Sequence, residues 1–353
     1  MVKHHFTRIP LPMSTENRRK PRATASGSRM EEVAALAGVS MITVSRAINT
    51  PDKVAPATRA RVRAAIRKTG YVPNLTAGSL ASNKSRIIGA IVPTIDNSIF
   101  AETVRGLSDT LEAGGYQLLL GQSGYDLRAE ERLAAAFLGR QVDGMVLTGG
   151  EHTALTAKRL RHSGVPVVET WDLPARPIDM VAGFSNFEAG RAVAQFLLAR
   201  GYLRLAFAGG PDERSSARLA GVRAALKGVH GTALSTGRLA AGASFEGGGR
   251  VITKWLTLQQ RPQAIFFGND ALAAGALMEC QRRKLRVPQD VAIMGFADLD
   301  IAAAIEPPLS SVRVPTRAMG ESAAQMLLAR LKGESAGAGV CDLGFEIMSR
   351  AST

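Results

Sequence analysis

Between Met30 and Thr69 the apolar positions recur at spacings of three and four: Ala34, Leu36 and Ala37, then Val44 and Ile48, then Val62, Ala65 and Ile66. That period predicts three short amphipathic helices. Gly38 separates the first two, and Pro51 with Pro56 separates the second from the third, because proline cannot continue a helix interior. Pro73 stops the third helix and forces Val72 extended. Asn74 then suits the N-cap of a further short helix through Ala81. After Arg86 short apolar runs alternate with longer amphipathic stretches. The runs Ile87 to Val92, Tyr116 to Leu120, Gly144 to Leu147, Val165 to Glu169, Met180 to Phe184, Leu205 to Ala208, Ala264 to Phe267 and Val291 to Gly295 read as strands. Helical segments lie between them: Phe100 to Ala113, Ala129 to Leu138, Ala189 to Ala199, Ser216 to Leu226, Arg250 to Leu256, Leu272 to Arg282 and Thr316 to Lys332. Strict alternation implies parallel sheets covered on both faces, and this many strands suit two sheets better than one. Gly247 to Gly249 marks a flexible spot.

The segment from Met30 to Asn49 has the spacing of a helix-turn-helix. Gly38 can take the positive φ of the tight turn, Val39 plugs the small core, and Ser40 can cap the second helix. With Val44, Ala47 and Ile48 facing inward, helical geometry turns Met41, Ile42, Ser45, Arg46 and Asn49 outward. That face suits a DNA major groove. Arg46 matches guanine O6 and N7, and Thr43, Ser45 and Asn49 can bond phosphates or base edges.

Charge sharpens this reading. The chain has 353 residues, 46% of them hydrophobic, and a net charge of +14. Residues 1–86 hold 16 Lys/Arg against 4 Asp/Glu, leaving 28 against 26 for the remainder. Arg59, Arg61, Arg63, Arg67 and Lys68 crowd the third helix, where like charges four apart repel unless something anionic compensates. A DNA duplex is such a compensator, and it predicts binding that weakens steeply with salt. The apolar content excludes a wholly disordered chain, and two cysteines, Cys280 and Cys341, exclude a disulfide scaffold. Both cysteines read as reduced and cytosolic. No apolar stretch approaches membrane-spanning length, and the basic first 28 residues lack the apolar core of a secretory signal. They read as a disordered tail in which Met13 is a second candidate start, and the paired His4 and His5 read as incidental.

At this point a resemblance enters. The run from Val33 to Asn49, Val54 to Arg59, Gly70-Tyr71-Val72-Pro73-Asn74, Leu80-Ala81 and Ile88-Gly89 resemble the lactose and galactose repressor family from residue 29 onward. The resemblance implies an α/β protein: a small all-α helix-turn-helix domain and hinge helix, then a periplasmic-binding-protein-like core of two Rossmann-like subdomains. The expected boundaries are a basic tail over 1–28, the DNA-binding domain over 29–73, a hinge and linker over 74–85, and a sensing and dimerisation core over 86–353. Within the core, 86–184 with 316–335 form one subdomain and 185–312 with 338–353 the other, the chain crossing near Phe184 and Val312. Ser40, Thr58, Arg59, Tyr71 and Asn74 join the DNA contacts. Leu80, in the segment matching the hinge helix, would wedge into the minor groove beside its dimer mate, bending the DNA.

Ligands of open α/β sheets sit beyond the carboxyl ends of strands. Asn97, Phe100, Thr148, Glu169, Phe184, Arg214, Arg218, Asn269 and Asp298 are therefore the candidate ligand residues. Arg218 matches a family arginine that binds sugar hydroxyls or a carboxylate, Asn269 a ligand-contacting Asn, and Phe184 an aromatic of the pocket lining. Many sugar-sensing relatives follow an aromatic with Asp after the last strand, whereas here Phe296 is followed by Ala297, with Asp298 one place later. Fewer carboxylates beside two arginines favour an acidic ligand over a neutral pyranoside.

Tyr125, Asp143-Gly144, Val165 to Glu169, Gly183 to Ala189, Asp212-Glu213-Arg214, Glu279 to Arg282 and Leu343-Gly344-Phe345 look like the gluconate-operon repressor branch. A sugar acid is expected, gluconate first. A phosphorylated or keto derivative, with Arg214 partnering the extra charge, or a neutral sugar is the alternative. The expected protein is a cytoplasmic homodimer that binds double-stranded, pseudo-palindromic operator DNA, with no membrane partner, no metal and no cofactor. An enzyme finds no support: there is no Gly-Lys-Ser/Thr phosphate loop and no Gly-x-Ser-x-Gly elbow, and His152, His162 and His230 read as ordinary surface histidines. A solute-binding protein matches the core but not the basic head.

Overall fold

The computed structural model describes residues 25–72, 84–95, 98–239, 244–334 and 339–353. The stretch from Asn74 to Ala81, with Leu80, lies outside the described residues, as does Asn97. The chain forms two compact units, a head ending at Asn83 and a larger unit from Lys84 to Thr353.

In the head, α1 (Ala25–Ala37), α2 (Met41–Asn49) and α3 (Pro56–Thr69) follow one another. The first helix begins inside the stretch read as a disordered tail. Gly38 at φ +62 makes the turn into α2. Ser40 caps that helix, its hydroxyl oxygen accepting from the Thr43 N–H at 3.2 Å. Pro56 opens α3, where the missing donor would have had no helical partner. The period-three-and-four residues close a small core of Val33, Ala34, Ala37, Val44, Ala47, Val62 and Ala65, with Val39 and Ile48 partly buried at its rim.

The larger unit carries two parallel sheets. The first has β1 (Ile87–Val92), β2 (Gln117–Gln122), β3 (Gly144–Thr148), β4 (Val167–Thr170), β5 (Met180–Gly183) and β11 (Val340–Asp342), in the order β11-β5-β4-β3-β1-β2. The second has β6 (Arg204–Gly209), β7 (Ala233–Arg238), β8 (Ala264–Phe267) and β9 (Ala292–Met294), ordered β7-β6-β8-β9. β1 to β5 are buried along most of their length except β2, an edge strand, as expected of sheets covered on both faces. Asp143 anchors the start of this unit, its carboxylate accepting from the Ser85 N–H and hydroxyl and the Arg86 N–H at 2.8 to 2.9 Å.

Helices α4 (Ala101–Ala113), α5 (Leu127–Gly139), α6 (Ala154–Ser163) and α12 (Thr316–Lys332) serve the first sheet, and α7 (Asn186–Ala199), α8 (Glu213–Leu226), α9 (Phe245–Trp255), α10 (Asp270–Arg282) and the short α11 (Asp300–Ala304) the second. α12 returns to the first lobe, where Ala323, Ala324 and Leu327 pack with Ile88, Leu107 and Leu111. Two pairs of neighbouring helices close on reciprocal glycines. A Cβ on Gly190 would lie 2.0 Å from the Arg218 carbonyl oxygen, and one on Gly221 1.9 Å from that of Phe187, so α7 and α8 touch backbone to backbone. α9 and α10 do the same: a Cβ on Gly248 would meet the Leu272 carbonyl oxygen at 1.8 Å, and one on Gly275 that of Phe245 at 1.8 Å. Gly247 to Gly249 is thus a buried helical contact and not a flexible spot.

The chain crosses between lobes three times. Besides the crossings near Phe184 and Val312, a third lies at Leu343–Phe345, because β11 pairs with β5 while β12 (Glu346–Met348) pairs antiparallel with β10 (Ser311–Arg313). Val340 to Asp342 therefore belongs to the first lobe, not to the second as its position after 338 suggested.

Candidate ligand cleft and nucleic-acid interface

In each sheet the strand order reverses direction beside the first strand of its lobe, at β1/β3 and at β6/β8. Connections leaving those strands on opposite faces open a crevice at the carboxyl ends. The residues following these strands line a common cavity: Ile99, Phe100, Tyr125 and Trp171 from the first lobe, and Asp212, Arg214, Arg218, Asn269 and Phe296 from the second.

Arg218 is the centre of this cavity. It is 7% exposed, and its guanidinium donates to the Asn186 Oδ1, donates to the Gly268 carbonyl at 3.4 Å, and stacks on Phe296 at 4.2 Å. Its Nε is buried with no partner among the described residues. Burial lowers its pKa to about 10, which still leaves it charged at neutral pH. Asn186 is itself fixed, its Nδ2 donating to the Trp171 carbonyl at 2.8 Å and to Asp172 at 3.0 Å. Arg214 pairs with Asp212 at 3.4 Å and lies over the rings of Phe100 and Tyr125. Burial alone would raise the Asp212 carboxyl, but the guanidiniums of Arg214 and Arg218 hold it below its usual range.

Asn269 caps α10, its Oδ1 accepting from the Leu272 N–H at 2.9 Å, which leaves its Nδ2 to donate elsewhere. The Trp171 indole N–H is a second buried donor without a partner. The cavity thus presents spare donors against aromatic walls, a chemistry that suits a carboxylate or hydroxyls. Its volume is about 40 Å³, well below the roughly 300 Å³ of the smallest usual ligand pockets, so a ligand enters only as the lobes part.

Four of the nine candidate ligand residues, Phe100, Arg214, Arg218 and Asn269, come together here. The others do not. Glu169 is buried, accepting from the Ile178 N–H at 2.6 Å and facing His152 Nε2 at 3.2 Å. Phe184 is wholly buried between Trp171 and Phe296, one layer behind the cavity. Thr148 donates to the Ile91 carbonyl at 3.1 Å and lines a neighbouring chamber. Asp298 sits in an αL conformation at φ +53 and is tied to Arg313 at 2.8 Å and Arg350 at 2.6 Å. It lines a larger groove of about 940 Å³ along the crossing strands, where Arg317 is already paired with Asp109 and Glu321.

His152 overturns its reading as a surface histidine. Its side chain is 3% exposed, and its Nδ1 lies 2.7 Å from Glu130. Burial alone would lower its pKa, but hydrogen bonds to Glu130 and Glu169 raise it to about 9. Trp171, Tyr125 and Asn186 were not among the candidates. Trp171 follows the rule used for the others, residues just past a strand, but β4 runs to Thr170, one residue beyond its expected end.

In the head, α2 presents Met41 (46% exposed) and Ile42 (64%), with Arg46 exposed and Thr43 and Ser45 half-buried. Asn49 ends the helix. On α3, Thr58 and Arg59 are half-buried, and Arg61, Arg63, Arg67 and Lys68 are exposed. Among the described residues no ion pair within 4 Å ties these cations to a carboxylate, unlike most arginines of the larger unit. Tyr71, expected as a DNA contact, is 3% exposed and packs in the head's core.

The comparisons with known proteins follow the same division. Residues 29–74 match the model of the bacterial regulatory proteins of the lacI family, and residues 194–353 match a periplasmic binding protein-like domain. The HTH-type transcriptional regulator GntR of Escherichia coli (strain K12) is 36% identical over 319 residues, 90% of this chain and 96% of that protein. GntR of Pseudomonas aeruginosa PAO1 is 38% identical over 344 residues, covering 96% of this chain and 99% of that one. The crystal structure of a LacI-family transcriptional regulator from Silicibacter pomeroyi superposes with a TM-score of 0.84 at 30% identity, covering 92% of this chain and 98% of that one.

Proposed function

The chain belongs to the lacI family of bacterial regulatory proteins, and from that premise we propose that it is a cytoplasmic repressor released from its operator by a small sugar acid, gluconate first. As a member of that family it is a DNA-binding transcriptional repressor and not an enzyme. In this reading two copies present two α2 helices to the half-sites of a pseudo-palindrome, since a twofold protein reads twofold DNA. Arg46 reads a base edge, Ser40, Thr43, Ser45 and Asn49 contact phosphates or bases, and the cations of α3 neutralise phosphates.

One observation carries the effector class: the buried Arg218 guanidinium, with unpaired Nε, beside the unpaired Trp171 N–H and the Asn269 amide. A fixed, desolvated cation with spare donors is matched by a carboxylate followed by hydroxyls. The GntR relatives support the same branch. Closure of the lobes on the ligand shifts their relative placement and disfavours the DNA-bound dimer. A thousandfold loss of operator affinity requires about 4 kcal/mol of differential binding.

A thermal-shift panel tests the effector. Saturating gluconate raises the melting point by roughly 5 °C or more, as binding to the native state alone demands. Glucose and galactose leave it unchanged. A shift with neutral sugars but with no sugar acid overturns the assignment.

A further inference from the structure

We propose that this cleft selects its ligand by charge at the outer end as well as the inner one, so that it takes a monoanionic polyhydroxy acid and rejects the same acid bearing a terminal phosphate, with Glu151 and Glu213 as the rejecting groups. The inference rests on the sugar-acid reading and sharpens it.

The inner cavity around Arg218 shares Tyr125, Pro211, Asp212 and Arg214 with an outer chamber of about 230 Å³. The loops after β1, β2 and β3 and the first turn of α8 build that chamber. Its lining is acidic: Asp126, Glu130, Glu151, Asp212 and Glu213 against the single cation Arg214.

Three of these five carboxylates have other work. Glu130 is joined to His152 at 2.7 Å. Asp212 pairs with Arg214 at 3.4 Å, which offsets part of the only positive charge in the lining. Asp126 caps α5, accepting from the Arg128 N–H at 2.8 Å, and faces Arg132 at 3.8 Å. Glu151 and Glu213 remain, with no ion pair within 4 Å among the described residues. The Glu213 Oε2 is buried without a hydrogen-bond partner. Burial, then the nearby Asp172 and Glu151, push its carboxyl above the usual range against the smaller opposing pull of His152 and Arg214, so on balance its surroundings oppose a negative charge.

A ligand with its carboxylate on Arg218 runs from a region of spare donors into one of spare acceptors. Hydroxyls donate to carboxylates, so a polyol tail suits the outer chamber. A terminal phosphate brings up to two negative charges and no donor at neutral pH, and it meets Glu151 and Glu213 in a partly desolvated site, where like-charge repulsion is strong.

Isothermal titration of the full-length protein at pH 7.5 with D-gluconate and 6-phospho-D-gluconate tests this. The wild type binds gluconate at least tenfold more tightly, about 1.4 kcal/mol. In the Glu151→Gln/Glu213→Gln variant that ratio falls at least fivefold, because the phosphorylated acid gains affinity. Should Glu213→Gln impair folding, Glu151→Gln alone, at an exposed position, still lowers the ratio. Equal or tighter binding of the phosphorylated acid to the wild type, or an unchanged ratio in the folded variants, overturns the charge selection while leaving the sugar-acid reading intact. Failure of both acids to bind the wild type overturns both.

Discussion

Replacing Arg218 by Met separates the sensing role of this side chain from its structural one. The guanidinium is held by the Asn186 Oδ1, the Gly268 carbonyl and the ring of Phe296. Its burial opposes the charged form and lowers its pKa to about 10, a shift that corresponds to roughly 3 kcal/mol. Met fills much of the same volume and removes that penalty. It leaves two carbonyl oxygens without their donor, about 1 to 3 kcal/mol each, and loses a cation–π contact worth about 1 to 2 kcal/mol. These terms oppose one another, so the net destabilisation is about 0 to 5 kcal/mol, against the roughly 5 to 15 kcal/mol by which native proteins are stable. Ligand binding has no such compensation. Two charge-assisted hydrogen bonds to a carboxylate are worth about 1.5 to 3 kcal/mol each, so gluconate affinity falls roughly a hundredfold to ten-thousandfold. The assay pairs calorimetric titration with gluconate and operator anisotropy without ligand. The expected outcome is lost binding with operator affinity unchanged. Release of operator DNA by gluconate at wild-type concentrations would refute the role of Arg218.

Other perturbations probe the remaining parts. Arg46→Ala lowers operator affinity by about 1 to 3 kcal/mol and relaxes base preference at one position, whereas Arg59→Ala weakens operator and random duplex about equally; competition gel shifts distinguish the two. His152, whose pKa rises from 6.5 to about 9 on folding, contributes stability that is full below pH 6.5 and lost as pH climbs through 9. Melting points measured from pH 6 to 10 therefore fall across that window, and His152→Gln flattens the fall; an unchanged slope in the variant removes the buried ion cluster as its source. Gly248→Ala forces apart α9 and α10 and lowers the melting point, at a stability cost of at least about 1 to 3 kcal/mol, as is usual for overpacking. Gly139→Ala, with open space at its Cβ, is neutral or slightly stabilising in the same denaturation series.

The strands buried on both faces and the helices with clear apolar stripes were legible in the sequence, because burial itself writes their pattern. β7 (Ala-Leu-Ser-Thr-Gly-Arg) was not: an edge strand with half-exposed residues carries no continuous apolar run. β10, β11 and β12 are three residues each, too short for any period, and they define the third crossing. α6 was missed because its buried face is only Thr156 and Leu160. The cleft was legible where a residue lies just past a strand of known end, as with Asn269, or on the helix that follows it, as with Arg214 and Arg218. It was illegible where orientation decides: Glu169 and Asp298 are at plausible positions, yet long-range partners, His152 and Ile178 for one, Arg313 and Arg350 for the other, turn them to other tasks. The glycines of α9 looked like a weak point in one dimension, and only the close approach of α10 explains them.

The most direct test of the account follows fluorescence anisotropy of the full-length protein on promoter DNA selected from its own genome while gluconate is added. The expected result is tight binding that weakens steeply with salt, and a fall in anisotropy as gluconate saturates the protein, with Arg218→Met holding the DNA throughout. An anisotropy that stays level at saturating gluconate, or DNA that is never retained at low salt, contradicts it.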